Sequence, residues 1–255
     1  MGGVLSAIRR WRAARRPFPD SWREILREDV PFYADLSTAE RRRLEERLKV
    51  FALTKYFAGA GGLEITDRVK VVIAAAAARL ILNLPNEHYP RLKEIVVYPD
   101  AYHHPDREGV IFGEVNDFGT MVLSWQAVLD GLRDTDDGYN TAFHEFAHAL
   151  DLGGGSFNGT PVLATRCAYG AWAQVMSRYY ERLQSGPARH RVLRDYGATN
   201  EAEFFAVATE AFFEKPRALR RKKPDLYALL ADYYRADPAS EREARRDAPS
   251  SRLSR

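Results

Sequence analysis

The sequence predicts a single-domain α+β protein that is mostly helical and carries a small sheet. Long segments repeat apolar residues at helical spacing and begin with capping residues, which indicates helices. Two short runs rich in β-branched and aliphatic residues indicate strands. With 255 residues and 45% hydrophobic content, the chain is long enough to bury a substantial core.

The first part of the chain is predicted to form three helices. A short helix is expected near residues 22–26. The segment 37–57 opens with a capping box made by Ser37 and Glu40, which predicts a helix through about residue 57. The segment 66–82 begins with a Thr-Asp cap, and its apolar character nearly all round predicts a buried helix.

The predicted strands come from the middle of the chain. Residues 94–98 and 121–125 are expected to be strands, with a loop or hairpin over 105–119 between them. A helix is predicted for 126–132, and a longer helical pattern covers 161–183. The small sheet is therefore expected to have helices before and after it.

A histidine pair on one helix is the most informative motif. Residues 144–148 read His-Glu-Phe-Ala-His within a predicted helix over 141–151, and Asn140 supplies the cap. Residues four apart lie on one face of a helix, so His144 and His148 can converge on a single tetrahedral ion. The spacing is typical of a zinc site.

The glutamate after the first histidine indicates hydrolysis. Glu145 projects about 100° round the helix from His144, from where it can act as general base for a zinc-bound water. The motif therefore predicts a zinc metallopeptidase. The alternative is that both histidines are partly buried, hydrogen-bonded side chains and that Glu145 is an ordinary solvated charge.

A catalytic zinc needs three protein ligands, so a third must come from elsewhere in the chain. Glu203 and Glu210 are seven residues apart on a predicted helix over 200–214, and so lie on nearly one face. Glu203 also stands three residues after Asn200, where it could simply close a capping box. These observations do not decide between the two carboxylates. The remaining histidines are further candidates: His88, His103, His104 and His190.

Several segments share their residues with one known family. They are His144–Asp151, Asn158–Pro161, Glu203–Val207, Glu210 and Phe212–Phe213. On these residues the chain resembles the Mlc titration factor A family of bacterial zinc-dependent peptidases, over about residues 20–238. The resemblance implies a zincin-like metallopeptidase domain with the sheet beside the zinc helix, Zn²⁺ as cofactor, and aminopeptidase-like activity on short peptides.

A second resemblance concerns the segment 196–206, which reads Tyr-Gly-Ala-Thr-Asn-Glu-Ala-Glu-Phe-Phe-Ala. It is similar to the catalytic segment of lethal-factor-type metalloproteases. In that class the glutamate before Phe-Phe-Ala is the third zinc ligand, and the tyrosine seven residues earlier lies at the metal. The resemblance therefore implies Glu203 as the ligand that joins His144 and His148, with Tyr196 beside them.

Two further residues have open interpretations. The Tyr196 phenol is a candidate donor to the oxyanion that forms when a peptide carbonyl is attacked, and the alternative is a half-buried core tyrosine. Asp151 stands three residues after His148, where it either orients a ligand histidine or ends the helix.

The predicted reaction is hydrolysis of a peptide bond. Zinc polarises the carbonyl, and Glu145 activates water and later carries its proton to the leaving amine. An extended peptide substrate is expected to lie along 121–125, taken as an edge strand. The alternative, implied by the family resemblance, is a regulatory protein that binds and sequesters a glucose-responsive transcriptional repressor, with the peptidase fold as a scaffold.

The predicted domain, residues 20–236, follows a basic N-terminal arm over 1–19. The first 16 residues contain five arginines and no acid, although the whole chain carries only +3. The arm is expected to be solvated or to face a partner, and a weak hold on an anionic membrane surface or on nucleic acid are the alternatives. Direct nucleic-acid binding is not expected, because the rest of the chain is mildly acidic.

Composition also predicts the compartment. The longest apolar run is far too short to span a membrane, and no secretory signal is evident. The one cysteine, Cys167, excludes an internal disulfide, fits a reducing compartment and is expected to be a small buried group. The cytoplasm is therefore the predicted location. Residues 237–255 are polar and charged and are expected to be disordered.

Overall fold

The computed structural model describes residues 2–84, 89–102, 112–186 and 192–247. Most of these residues are helical and four strands form one mixed sheet, which confirms the predicted α+β class. The strands are β1 (Tyr56–Gly59), β2 (Glu94–Tyr98), β3 (Gly113–Val115) and β4 (Thr120–Ser124). The helices are α1 (Gly2–Arg15), α2 (Asp20–Asp29), α3 (Pro31–Ala34), α4 (Thr38–Thr54), α5 (Asp67–Leu80), α6 (Trp125–Arg133), α7 (Thr141–Leu152), α8 (Arg166–Ser185), α9 (Glu201–Glu214), α10 (Pro216–Lys222), α11 (Pro224–Tyr234) and α12 (Pro238–Asp247).

The sheet has the strand order β1-β2-β4-β3. Strands β1, β2 and β4 run parallel, and β3 pairs antiparallel with β4. Buried side chains of the two central strands stand opposite each other, Ile95 beside Met121 and Val97 beside Leu123. Strand β2 has the predicted bounds, whereas β4 lies one residue earlier than predicted.

The prediction that 121–125 is an edge strand is wrong. Strand β4 is paired with β2 on one side and with β3 on the other, and Met121 and Leu123 are fully buried. The described strand at this end of the sheet is β3, which also contacts α7. A strand of five residues has the same alternation inside a sheet as at its edge, so the sequence pattern could not separate the two cases.

Strand β1 lies where the end of a helix was predicted. Helix α4 begins at the predicted capping box but ends at Thr54, and Lys55 has an extended backbone with ψ 151°. The Tyr56 N–H donates to the Lys93 carbonyl at 3.1 Å, which begins the parallel pairing with β2. The strand forms because it pairs with β2, which is distant in the sequence. The local spacing of apolar residues therefore could not predict it.

Helix α5 lies in the core, as its apolar character predicted. Residues 71–78 are all 0% exposed. The helix packs against α4 and against α7. The helix that carries the histidine pair therefore rests on a layer of alanine and β-branched side chains.

The C-terminal segment departs from the prediction of disorder. Residues 238–247 form helix α12, and Ala239 is fully buried. The Arg242 guanidinium donates to the carbonyls of Phe213 and Glu214, both at 3.0 Å, and so satisfies acceptors at the end of α9 that the helix itself leaves free. The docking contacts are made largely by polar side chains, among them Arg242 and the ion pair of Arg220 with Glu243, so the polar composition did not reveal them. Residues 248–255 lie outside the described ranges.

The N-terminal arm is helical and contacts the rest of the chain. Helix α1 packs against α4, and the Lys49 ammonium donates to the carbonyls of Ala14 and Arg16 at 2.8 and 2.5 Å. The boundaries of an independently folding domain stay a prediction. Across the described ranges, no helix has both the length and the apolar content that a bilayer crossing requires.

Cys167 is exposed, which corrects the prediction of a buried thiol. It lies in the first turn of α8. The buried face of that helix is made by Trp172, Met176, Tyr179 and Leu183. Cys167 precedes Trp172 by five residues and therefore points away from that face.

Candidate metal centre

Helix α7 is buried along its whole length, and its polar residues therefore need partners. Its first turn is closed by Asn140, whose side-chain oxygen accepts from the Phe143 N–H at 2.9 Å. The predicted cap is thus confirmed. Glu145 is only 5% exposed, so the alternative reading of Glu145 as a solvated charge does not hold.

Three side chains from two helices converge on one point. The Glu203 Oε2 atom of α9 lies 2.9 Å from His144 Nε2 and 3.3 Å from His148 Nε2. The two imidazole Nε2 atoms are 3.2 Å apart. The three ligand atoms all lie within 4.8 Å of one another, and they form a group that could hold a metal ion. Two imidazole nitrogens and one carboxylate are a donor set suited to zinc, with one position open.

Glu210 lies on the other side of the same imidazole. Its Oε1 atom is 2.7 Å from His144 Nδ1, and its Oε2 atom accepts from the Asn140 N–H at 2.7 Å. Arg194 also forms an ion pair with Glu210. A carboxylate on Nδ1 fixes the orientation of a histidine ring and leaves Nε2 available to a metal. The two glutamates that sequence spacing could not separate therefore have different neighbours.

Asn200 caps α9, but Glu203 does more than continue the helix. The Asn200 side-chain oxygen accepts from the Glu203 N–H at 2.9 Å. The Glu203 carboxylate itself lies at the two histidines. The residue therefore combines a capped backbone with a side chain that faces the site.

The charges of these groups are strongly coupled. Burial acts to lower the pKa of His144, but hydrogen bonds to Glu203 and Glu210 outweigh it and raise that pKa to about 10. Burial acts to raise the pKa of Glu203, and hydrogen bonds from His144 and His148 lower it well below its usual range. Without a metal, the site therefore holds an ionised carboxylate against a protonated imidazole, and a metal ion would take the place of the shared proton.

Glu145 lies between this centre and strand β3. Burial raises the pKa of its carboxyl, while the two neighbouring histidines act to lower it. Its Oε2 atom is buried and has no hydrogen-bond partner among the described residues. A buried carboxylate oxygen needs a partner, and a water held beside a metal would supply one. The donor set and this orphaned oxygen both fit a metal centre.

Gly113 of β3 allows Glu145 to occupy this position. A Cβ atom at residue 113 would lie 2.6 Å from Glu145 Cγ and 2.8 Å from its Oε1. Real Cβ atoms do not approach so closely, so only glycine fits against this rotamer of Glu145. No sequence signal marked Gly113, because the requirement comes from a contact between distant segments.

Tyr196 lies at the mouth of the site, in a 3₁₀ turn over Asp195–Ala198. Its ring is 5.8 Å from the His144 ring, and the residue is 51% exposed, so it is not a core tyrosine. Burial of part of the side chain and the charge of Glu203 raise its pKa to about 12. The phenol therefore keeps its proton near neutral pH and can donate a hydrogen bond.

Arg194 is a site residue that the sequence reasoning missed. It precedes the 3₁₀ turn and joins two parts of the site, because it pairs with Glu210 and lies over the Tyr139 ring at 4.3 Å. An arginine two residues before Tyr196 carries no distinctive pattern in the sequence. Its role follows only from the contact with Glu210.

Asp151 fits the second of its two predicted roles, because it stands in the last turn of α7 and its backbone carbonyl accepts from the Gly154 N–H at 2.8 Å. Its carboxylate accepts from the N–H groups of Gly159 and Thr160 at 2.7 and 2.8 Å. The His148 Nδ1 atom has no hydrogen-bond partner among the described residues. Asp151 therefore ties the loop at 158–160 to the end of α7. His88, His103, His104 and His190, the other candidate ligands, lie outside the described ranges.

The site opens into a cleft of about 920 Å³. One wall comes from β3 and the hairpin that follows it, and the other from α9 and the segment before it. The cleft combines acidic and aromatic side chains and one arginine around the metal-binding group: Phe112, Glu114, Asp117, Phe118, Tyr139, Phe157, Arg194 and Tyr196.

Two histidines one helical turn apart, a carboxylate from a second helix and a buried glutamate beside them are the parts of a metallopeptidase centre. The chain belongs to the glucose-regulated metallo-peptidase M90 family, whose sequence pattern matches residues 5–235. The predicted membership is therefore confirmed.

Relatives align over most of their length. Uncharacterized protein slr2042 of Synechocystis is 40% identical over 245 residues, which cover 89% of each chain. The proteins called Mlc titration factor A in Yersinia pestis and Yersinia pseudotuberculosis are both 28% identical over 233 residues. Those alignments cover 85% of this chain and 84% of each relative.

Proposed function

We propose that this protein is a zinc-dependent peptidase of zincin-like fold that removes residues from the amino terminus of short peptides. The observation that carries the proposal is the convergence of His144, His148 and Glu203 next to the buried carboxylate of Glu145. Membership of a metallopeptidase family supports it.

Each nearby side chain has a proposed role in hydrolysis. A bound zinc would supply Lewis-acid activation of water and of the peptide carbonyl. Glu145 takes the proton of the attacking water and then delivers it to the leaving amine. The Tyr196 phenol donates a hydrogen bond to the oxygen that becomes negative during the attack. Glu210 holds the His144 ring in position through Nδ1.

Strand β3 is the proposed support for the substrate backbone. It pairs with β4 on one side and lines the cleft with the other. An extended peptide can hydrogen-bond to such a strand and pass in front of Glu145. This proposal replaces β4, the strand first expected in that role, with its neighbour in the sheet.

The composition of the cleft supports a preference for free amino termini. Glu114 and Asp117 lie on the β3 side, where their negative charge suits a substrate ammonium group. Phe112 and Tyr139 offer apolar surface for side chains on either side of the cleaved bond.

The first test measures metal content. Purified protein, or protein reloaded after chelation, is expected to bind one zinc ion. Protein that binds no stoichiometric zinc under either condition contradicts the proposal.

The second test replaces Glu145 by Gln, which should leave zinc bound and abolish cleavage of aminoacyl chromogenic substrates. Unchanged turnover by that variant would show that Glu145 is not the base.

A regulatory function is the second candidate, because relatives that align over most of this chain are named Mlc titration factor A. In that case the chain would bind a transcriptional repressor, and the peptidase fold would serve as a scaffold. Glu145→Gln separates the two functions. If the protein acts as a scaffold, this variant keeps the effect on repressor activity. If the effect depends on peptide cleavage, the variant loses that effect.

A further inference from the structure

Helix α1 exposes large apolar side chains that the rest of the fold does not cover. Leu5, Ile8 and Trp11 are 65%, 41% and 59% exposed. They are three residues apart in the chain and so follow one side of the helix. Large apolar residues grouped in this way indicate an interaction surface rather than scattered surface residues.

The opposite side of α1 is fixed to the body of the protein. Ala13 is 4% exposed in a helix that packs on α4. Lys49 of α4 donates to the carbonyls of Ala14 and Arg16, and Arg9 donates to the Thr54 carbonyl at 3.3 Å. The exposed face therefore has a set direction, away from α4.

The charge of α1 restricts the chemistry of its partner. The first 16 residues contain five arginines and no acid, while residues 17–234 carry a net charge of about −4. Arg12 and Arg15 are exposed and follow Ile8 by four and seven residues, which puts them on the apolar side of the helix. The Arg15 guanidinium lies 4.5 Å from the centre of the Trp11 ring. The partner must therefore offer negative charge next to an apolar layer.

We propose that α1 binds the surface of an anionic lipid membrane, with its axis in the plane of the interface. Anionic headgroups would contact Arg12 and Arg15, and the layer beneath them would receive Leu5 and Ile8. Trp11 suits the boundary between the two layers. Duplex nucleic acid offers phosphates but no apolar layer for these side chains. The surface is separate from the cleft, so the inference does not depend on peptidase activity.

Binding of the full-length protein to lipid vesicles tests the proposal directly. Vesicles of phosphatidylcholine mixed with phosphatidylglycerol should sediment the protein at low salt, and added salt should release it. Vesicles of phosphatidylcholine alone should bind far less. The emission of Trp11 should shift to shorter wavelength with anionic vesicles, and Trp11→Phe should remove that shift while binding persists.

Two pairs of variants separate the contributions. Ile8→Ser with Trp11→Ser should weaken binding roughly tenfold or more, because both side chains lose apolar burial. Arg12→Gln with Arg15→Gln should weaken it about 30-fold. The matched controls are Val162→Ser, which changes an exposed apolar residue elsewhere, and Arg42→Gln with Arg43→Gln, which changes exposed arginines of α4. Neither control should affect binding.

Three outcomes would overturn the proposal. One is absence of binding to anionic vesicles at low salt. Another is equal binding to neutral vesicles. The third is binding to duplex DNA that needs Arg12 and Arg15 but is unaffected by the Ile8 and Trp11 changes, which would assign α1 to nucleic acid. All the changed side chains are exposed, so thermal unfolding should be the same for every variant and verifies the fold.

Discussion

Helix α9 carries two glutamates, Glu203 in its first turn and Glu210 further along, that lie on opposite sides of the His144 imidazole. In the first turn, the Glu203 carboxylate lies at His144 Nε2, on the cleft side, with its side chain 16% exposed. In the middle, the fully buried Glu210 lies at His144 Nδ1 and also contacts Asn140 and Arg194. The comparison teaches that the carboxylate exposed to the cleft is the candidate metal ligand, whereas the fully buried carboxylate orients the histidine.

The two positions also differ in how their charge is balanced. The Glu203 Oε2 atom lies against two histidine nitrogens, so a metal ion can replace the proton that they share. Glu210 has a permanent cation beside it in Arg194. A buried carboxylate with a permanent partner is a fixed part of the structure, whereas one with titratable partners can exchange a proton for a metal.

The largest expected effect is the loss of zinc affinity on replacing Glu203, in the first turn of α9. Glu203→Gln should remove one of the proposed ligands and weaken zinc binding by more than the roughly 100-fold that follows from loss of an orienting partner. Peptidase activity should be lost with the metal. Competition with a chromophoric chelator measures the affinity. Glu201→Gln, an exposed change in the same turn, is the control, and a Glu203→Gln protein with unchanged zinc affinity would contradict the assignment.

Tyr196 lines the cleft, as Glu203 does. Tyr196→Phe should lower kcat by about 10²-fold, as expected for loss of one donor to a developing oxyanion, with zinc affinity unchanged. Steady-state kinetics with metal content measured in parallel would check this. A loss of zinc in this variant would mean that the phenol acts on the metal group and not on the substrate.

Replacing Glu210 should weaken zinc binding less than replacing Glu203. Glu210→Gln keeps the shape of the side chain but removes its charge, and should weaken zinc binding about 10- to 100-fold. The ratio of the effects of Glu203→Gln and Glu210→Gln on zinc affinity tests the comparison directly. If Glu210→Gln has the larger effect, the two roles are reversed.

The smallest predicted effect comes from the wall opposite α9. Gly113→Ala would bring a Cβ atom within 2.6 Å of Glu145 Cγ, so Glu145 must move. We expect kcat to fall by about tenfold, as a displaced general base would cause, while both α9 carboxylates and zinc affinity stay unchanged. Gly170→Ala is the control, because a Cβ there meets no atom within 4 Å. Equal kcat in the two variants would mean that Glu145 has room to shift.

Much of the candidate site could be predicted because its signals are local. The relation of His144, Glu145 and His148 depends on one turn of helix, and the caps at Ser37, Thr66 and Asn140 need only the next few residues. Those caps are confirmed. The family resemblance is also confirmed.

The rest depended on contacts between distant segments. Strand β1 exists because it pairs with β2, and the position of β4 inside the sheet depends on β3. Docking of α12 involves contacts with distant residues, such as those of Arg242 with the end of α9. None of these contacts changes the spacing of apolar residues within its own segment, which is the signal that sequence patterns carry.

The sequence by itself determined that a helix carries two histidines and a glutamate with the spacing of a zinc site, because the helix repeat sets their relative directions. It also limited the third ligand to a few residues. Residue spacing did not decide which carboxylate meets the Nε2 atoms, because Glu203 and Glu210 share one face of α9, and the resemblance of residues 196–206 only implied Glu203. The tertiary structure places Glu203 at these atoms and Glu210 at Nδ1 through the way α9 crosses α7. That crossing is set by packing across the whole core.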